Sequence, residues 1–316
     1  MRCELVKLLL NRCTDMKAEG VFNGDPSEIA QSFPKLELKI LCCRFWWLKS
    51  WEHPNLSFPF WRLYYNFHEG ASVEYNHKVY YLNTGKIYLI PPSTAYSSRL
   101  YENQIPENTH KLIGGSMYSL DPIVEDSYLR EGAIEHLFVH FVLNNTNTFI
   151  RPQIFEFPVD EVILAAIHCI CNYLRRDNQN IDLSTYFHLH SLVFHLLSKI
   201  DEDLWMNVSI DNRIVKVLNY IQNHISEPLS NEILAEIACI TPTSFARLFK
   251  DDMDYTVQQY IRHVRIDNAC SLLHHTDLSI EQIATQTGFT NRYHFTRIFG
   301  EVTHTTPARF KKSYTV

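Results

Sequence analysis

No apolar run in this 316-residue sequence approaches the roughly 18 residues that a membrane-crossing helix requires. The opening MRCELVKLLLNRC is broken by Glu4 and Lys7, and no small-residue cleavage site follows it, so it does not read as a secretory signal. The expectation is a soluble, cytoplasmic protein without a membrane partner. The C-x-x-C spacing of zinc and redox sites is missing too. The eight cysteines include the adjacent pair Cys42 and Cys43 and the near pair Cys169 and Cys171, which in a reducing compartment read as buried free thiols. Nor is there an excess of basic charge: 29 Lys and Arg against 35 Asp and Glu give a net charge of -6. That sum would argue against nucleic acid if charge were evenly spread, but from Asp211 onward acids and bases balance, eleven of each. Any basic surface must be local.

With 46% hydrophobic residues, the chain holds enough apolar surface for two ordinary cores. From Pro59 to Pro92, short stretches rich in β-branched and aromatic residues are punctuated by Glu69-Gly70, Asn76-His77 and Asn83-Thr84-Gly85, which is strand and turn chemistry. A further run, HLFVHFVL from His136 to Leu143, fits a strand buried on both faces. An all-β unit over residues 36–157 follows, after an N-terminal extension of residues 1–35. Beyond Pro158 the period changes to 3.6 residues, which predicts helices over 161–175 and 184–200 within a unit spanning 158–206. Leu189, Leu192, Val193, Leu196, Leu197 and Ile200 exceed one stripe, so these helices are expected to serve both the chain's own core and a second copy. Residues 207–212 read as a linker. All that follows, 213–316, reads as helical, with Asp211 or Asn212, Ser230 and Ser279 as N-caps and Gln282 as the capping-box partner of Ser279.

Within that last region the sequence repeats itself. FARLF at 245–249 and FTRIF at 295–299 share F-x-R-x-F. Glu232 and Ala235 recur as Glu281 and Ala284, while Arg247, Phe249, Thr256 and Tyr260 recur as Arg297, Phe299, Thr306 and Phe310. Each copy reads as a short helix, a turn at Cys239 or Gly288, and a second helix. That is a helix-turn-helix, whose second helix enters the DNA major groove. The exposed side of the first second helix is expected to present Thr243, Ser244, Ala246, Arg247 and Lys250, and that of the second Arg292, Tyr293, Thr296 and Arg297. The acids Asp251, Asp252 and Glu301 are expected just beyond, and Lys311 near the chain end is expected to touch phosphate.

On these residues, 213–312 resembles the AraC/XylS-type DNA-binding domain. The signatures are Arg265, Ile266, Ala269, Leu272 and Leu273 on a long connecting helix, Ile283, Ala284, Gly288 and Phe289 at the second turn, and the closing Thr306, Pro307 and Phe310. The resemblance implies two recognition helices in successive major-groove segments. The chain departs from the family where glycines usually follow each recognition helix, at Asp254 and His304. It departs again at Val257, where a proline is usual, and at Gly300, where a lysine is.

The preceding unit resembles the cupin-like effector domain of the same regulators, through Gly70 and the run from Lys86 to Pro92. Metal-holding cupins carry H-x-H and a later Glu; here the corresponding stretch offers only His68, Glu69 and His77, and Tyr96 stands where a histidine is usual. The resemblance therefore implies binding rather than turnover, with no metal and no cofactor. Strand parity is expected to turn Trp61, Tyr65 and Glu69 from one strand, and His136, Phe138 and His140 from another, toward an effector cavity with Tyr96 at its mouth.

The expected fold is α+β: a cupin-like β-barrel, two helices and an all-α double helix-turn-helix. The expected function is not enzymatic. It is a transcription regulator, an activator working with RNA polymerase, that binds promoter DNA as a homodimer in response to a small polar effector such as a sugar. Two other readings compete: a metal-dependent cupin enzyme fused to a DNA-targeting domain, and a redox or metal sensor built on Cys42 and Cys43.

Overall fold

The computed structural model describes residues 36–100, 111–144, 148–207, 210–303 and 305–314. The expected N-terminal extension and His304 lie outside them. The first half is antiparallel β-structure: β1 (Glu37–Leu56), β2 (Trp61–Asn66), β3 (Ala71–Tyr75), β4 (Lys78–Leu82), β5 (Lys86–Ile90), β6 (Tyr96–Leu100), β7 (Lys111–Ser116), β8 (Ile134–Asn144), β9 (Thr148–Ile150) and β10 (Phe155–Pro158). The main sheet runs β10-β5-β2-β8-β1-β6-β3-β4, with β7 also on β1. It curls because the 20-residue β1 changes partners along its length, lying on β8 over Glu37–Leu48, on β7 over Trp46–Glu52 and on β6 from His53, with register shifts at Ile40/Cys42 and Leu48/Ser50. Asn76 and His77, both at positive φ, close the β3–β4 hairpin as that two-residue turn requires. β9 pairs with β11 (Trp205–Asn207) in a separate two-stranded ribbon.

Ten helices complete the described chain. α1 (Pro122–Arg130) was not expected, although Asp121 caps it and Pro122 sits at its first position. α2 (Glu161–Leu174) and α3 (Leu183–Leu197) cover one face of the sheet. All six of the apolar residues expected to reach a second copy, Leu189 to Ile200, are buried in this chain's own core with Leu63, Leu137, Val139 and Ile167. The wide stripe is thus consumed by a sheet face and a neighbouring helix together. Arg175, at the end of α2, donates to both carboxylate oxygens of Glu125 at 2.8 Å and to Glu135 of β8 at 2.7 Å, joining α1 and α2 to the sheet.

The remaining helices are α4 (Asn212–Asn223), α5 (Asn231–Ile237), α6 (Pro242–Met253), α7 (Val257–His275), α8 (Ile280–Gln286), α9 (Arg292–Thr303) and α10 (Pro307–Tyr314). The expected caps are in place: Asp211, Ser230 and Ser279, the last with Gln282 in a capping box. The two repeats fold alike. Phe249 meets Tyr260 at 5.6 Å between ring centroids, and Phe299 meets Phe310 at 5.5 Å. The turns match as well: Ile240 N–H bonds Ala235 O as Phe289 N–H bonds Ala284 O, so the extra residue of the second copy, Thr290, follows the turn. Asp254 takes the left-handed C-cap (φ 59°) in place of the usual glycine.

The two copies are packed differently. The first has its own core with α4, whereas the second joins the core of the open sheet face, through Phe310 against Phe58 and through the end of α7.

Candidate nucleic-acid interface and effector cavity

α6 and α9 start from side-chain caps, Thr241 accepting from the Ser244 N–H and Asn291 from the His294 N–H. Arg247 and Arg297 each lie six residues beyond their cap, on the face away from Phe245 and Phe249 or from Phe295 and Phe299, which are fully buried. The Arg247 side chain is 85% exposed and that of Arg297 64%. Thr243, Ser244, Lys250, Arg292 and Tyr293 are exposed on the same two helices, and Ala246 and Thr296 are half-buried beside them.

One expectation needs correction. The helices run on to Met253 and Thr303, so Asp251 and Glu301 stand inside them, one turn beyond each arginine. Arg247 Nε lies 3.8 Å from Asp251, and Arg297 Nη1 lies 2.7 Å from Glu301. Exposed i,i+4 pairs contribute only about 0.3–0.5 kcal/mol, so an incoming phosphate or base displaces them at small cost. Lys311 is half-buried, and its Nζ donates one of its three N–H bonds to the Leu278 carbonyl at 2.8 Å, holding the segment before α8.

The open face of the sheet and the C-terminal end of α7 enclose a cavity of about 450 Å³. Its floor follows from register. Cys42, Arg44 and Trp46 of β1 lie opposite His140, Phe138 and His136 of β8, which in turn lie opposite Arg62, Tyr64 and Asn66 of β2. Directly opposed residues share a face, so His136, Phe138 and His140 line the cavity as expected. β2, however, is one residue out of phase with the parity assumed for it. Trp61 stacks on Phe141 at 5.7 Å, and Tyr65 donates to the Thr84 carbonyl, both on the opposite, helix-covered face. Glu69 sits exposed in the turn after β2, and His68, Glu69 and His77 are not gathered. Tyr96 is buried beside the cavity, its hydroxyl 2.6 Å from that of Tyr64.

Sequence reading missed Cys42, Arg44, Arg62 and Tyr64 on the floor, and Leu273 to Asp277 as the roof. Nothing local marks the roof, since its residues read simply as the end of a helix. Arg62 is the most telling of the omissions. Only 4% exposed, it donates from Nη1 to both the Tyr64 and Tyr96 hydroxyls, and its guanidinium lies 3.6 Å over the Phe58 ring, while Nε finds no partner among the described residues. Burial opposes its charge, and the two phenols outweigh that opposition. Burial likewise pushes His136 down to about 3 and His275 to about 4, holds His140 and His274 well below the usual imidazole range, and raises the Cys42 thiol to about 11.

Residues 234–313 match a known family described as a helix-turn-helix domain. Among curated relatives, an uncharacterised HTH-type transcriptional regulator of Bacillus subtilis, YbfP, is 31% identical over 101 residues, 32% of this chain and 34% of that protein. The match thus spans about a third of YbfP. The HTH-type transcriptional activator RhaS of Salmonella agona is 22% identical over 248 residues, 78% of this chain and 84% of that protein. Among solved structures, ToxT of Vibrio cholerae aligns over 89% of this chain and 99% of its own at 10% identity, with a TM-score of 0.48. The DNA-binding domain of AdpA, solved with a target DNA, aligns over 32% of this chain and 92% of its own at 24% identity, with a TM-score of 0.32.

Proposed function

As a member of the AraC family of helix-turn-helix proteins, this chain is, we propose, a transcription regulator that binds specific DNA with two reading helices and takes a small polar effector in the cavity under α7. The observation that carries the reading is the pair of exposed arginines at the same place in two copies of one motif, each on a helix whose opposite side is buried. An arginine paired with guanine supplies about 1–3 kcal/mol of discrimination. Arg247→Ala and Arg297→Ala are therefore each expected to weaken operator binding about 5- to 150-fold and to relax preference at one or two base pairs. Lys250→Ala is expected to weaken all sequences alike and to lower the salt slope by about one. Unchanged specific affinity in both arginine variants, measured at fixed salt, refutes the double reading head.

An effector bound between sheet and α7 biases the DNA-binding half because α7 joins its two copies, and a ligand shifts only states that it distinguishes energetically. The aromatic faces of Trp46, Trp51 and Phe138, set beside Arg44, Arg62 and His136, suit a hydroxyl-rich molecule such as a sugar. An activating role is the direction in which the name of the relative RhaS points, and on this reading RNA polymerase is the partner of the bound regulator.

The same reading includes a homodimer through α2 and α3. With the six leucine and isoleucine-type positions buried, what these helices offer a second copy is Val162, Leu183 and Phe187, which are 53%, 67% and 62% exposed. Leu183→Asp combined with Phe187→Asp is expected to convert a dimer to a monomer in sedimentation at micromolar concentration and to leave an unfolding midpoint that no longer rises with protein concentration. A wild-type chain that sediments as a monomer there refutes the assignment.

A further inference from the structure

We propose that Cys42, His140 and His275 form a binding site for a thiophilic transition-metal cation of the zinc type, which ties the end of α7 to the sheet. Their ligand atoms all lie within 4.8 Å of one another, and no other group of three such side chains is gathered among the described residues. Cys42 and His140 are register partners on β1 and β8, and the shift between Ile40 and Cys42 brings the thiol onto the cavity face while Cys43 turns into the opposite core. His275 is the last residue of α7, and its Nε2 lies 2.9 Å from His140 Nδ1.

The chemistry of the donors fits. One thiolate and two imidazoles are borderline-soft ligands of the kind that zinc takes, and three protein ligands leave one position open. Tetrahedral zinc places neighbouring ligand atoms about 3.4–3.6 Å apart, given metal–nitrogen and metal–sulfur bonds of about 2.0–2.1 and 2.3 Å. The two imidazole nitrogens, 2.9 Å apart, therefore need to part by roughly half an ångström, and the sulfur, within 4.8 Å of both, needs to approach by no more than roughly 1.3 Å, which side-chain rotation supplies. His275 is already oriented. Its Nδ1 lies 2.8 Å from the Ser271 carbonyl, which only accepts, so Nδ1 carries the proton and the Nε2 lone pair faces His140. Histidines in metal sites are held by such an outer hydrogen bond. On metal entry the thiol proton leaves, and the proton that His140 shares with His275 moves to His140 Nε2.

Arg44 and Arg62 oppose a cation here. The Cys42 thiolate offsets one of the metal's charges, and the open fourth position faces the cavity, where water or an effector oxygen completes the shell. This assignment replaces the expectation of a metal-free barrel. That expectation looked for ligands on neighbouring strands alone, whereas the third ligand comes from a helix 135 residues away along the chain.

The test uses the full chain, freed of metal with chelator and then titrated with Co2+, whose thiolate complexes absorb in the near ultraviolet. One equivalent is expected to bring up a thiolate-to-cobalt band, and Zn2+ is expected to abolish it by displacement and to raise the unfolding midpoint by several degrees. Cys42→Ser and His275→Gln are expected to lose both effects, whereas Cys43→Ser and Cys270→Ser keep them. His275→Gln lies at a helix end and guards against a Cys42 variant that fails to fold. No band in the wild-type chain, or a band that survives in either Cys42→Ser or His275→Gln, overturns the proposal. Because DNA affinity is not the readout, a failed reading of the recognition helices leaves this result intact, and the reverse also holds.

Discussion

Between pH 6.5 and pH 4 the chain is expected to lose stability steeply, by about 1.4 kcal/mol per pH unit for each buried histidine that unfolding frees to take a proton. His136 and His140 are 2% and 4% exposed. Burial holds His136 neutral down to about pH 3 and His140 neutral well below its ordinary range, while both titrate near 6.5 in the unfolded chain. Above that value the two states bind the same protons, and stability does not depend on these groups. As the pH falls through it, the unfolded state binds more, so stability declines until the folded-state values are reached. The surroundings offer no relief. Arg44 and Arg62 face these rings from the sheet, His53, His274 and His275 add further imidazoles, Cys42 is a neutral thiol, and the one nearby carboxylate, Asp277, is exposed at the rim. His136 alone, acting over two pH units, amounts to about 3 kcal/mol, a large share of the stability of many domains, and His140 acts in the same direction. Among the carboxylates, Asp211, lowered to about 2 by its bonds to Arg213, loses its contribution only below its unfolded value near 4, whereas Asp267, which burial raises to about 7, and Glu135, raised as well, act in the opposite direction within the window and offset part of the slope. Urea unfolding at half-unit pH steps measures the slope. His136→Asn is expected to flatten it by about 1.4 kcal/mol per unit, and an unchanged slope in that variant would remove the buried histidine as the cause.

Gly288→Ala is expected to destabilise the DNA-binding half by about 2–4 kcal/mol. Gly288 has φ +77°, where a side chain is strained in itself, and an added Cβ would meet the Ile225 carbonyl oxygen at 2.5 Å and the Arg265 guanidinium at 2.8 Å. Arg265 has no room to move away. Its Nε bonds the Ile225 carbonyl at 3.1 Å and its Nη2 the Glu227 carbonyl at 2.7 Å, so it clamps the loop between α4 and α5, in the first copy, against α7 and the turn of the second. Displacing it shifts the two reading helices relative to each other, so operator affinity is expected to fall together with stability. The matched position in the first copy supplies the contrast. Cys239 also has positive φ, 56°, but is exposed, so Cys239→Gly relieves strain without opening a clash and is expected to stabilise by about 0.5–1 kcal/mol or to be neutral. Equal denaturant midpoints for wild type and Gly288→Ala would show that the clamp yields freely.

The contrast between these two turns also marks how far the residues themselves spoke. The double helix-turn-helix was legible because its signals are local. Caps act within three residues, a helical face repeats every three or four, and a turn glycine declares its own backbone angle. Ser279 with Gln282, Asp211, Gly288 and the paired Phe-x-Arg-x-Phe therefore placed the helices, and the exposed places of Arg247 and Arg297, from sequence alone. The cavity was legible only in half. His136, Phe138 and His140 alternate on one strand, and that alternation survives any fold that keeps the strand. Which side of β2 meets them depends on pairing across strands, and a shift of one residue exchanges every side chain between faces. That is why Trp61 and Tyr65 went to the helix-covered core while Arg62 and Tyr64 went to the cavity. In the same way, Leu189 and its neighbours announced burial but not what would bury them, since an apolar stripe fits its own sheet as well as a partner. The roof at His274 and His275, and with it the grouping of Cys42, His140 and His275, exists only because tertiary packing lays the end of α7 over β1 and β8. No periodicity records such a contact, since it joins residues more than a hundred positions apart.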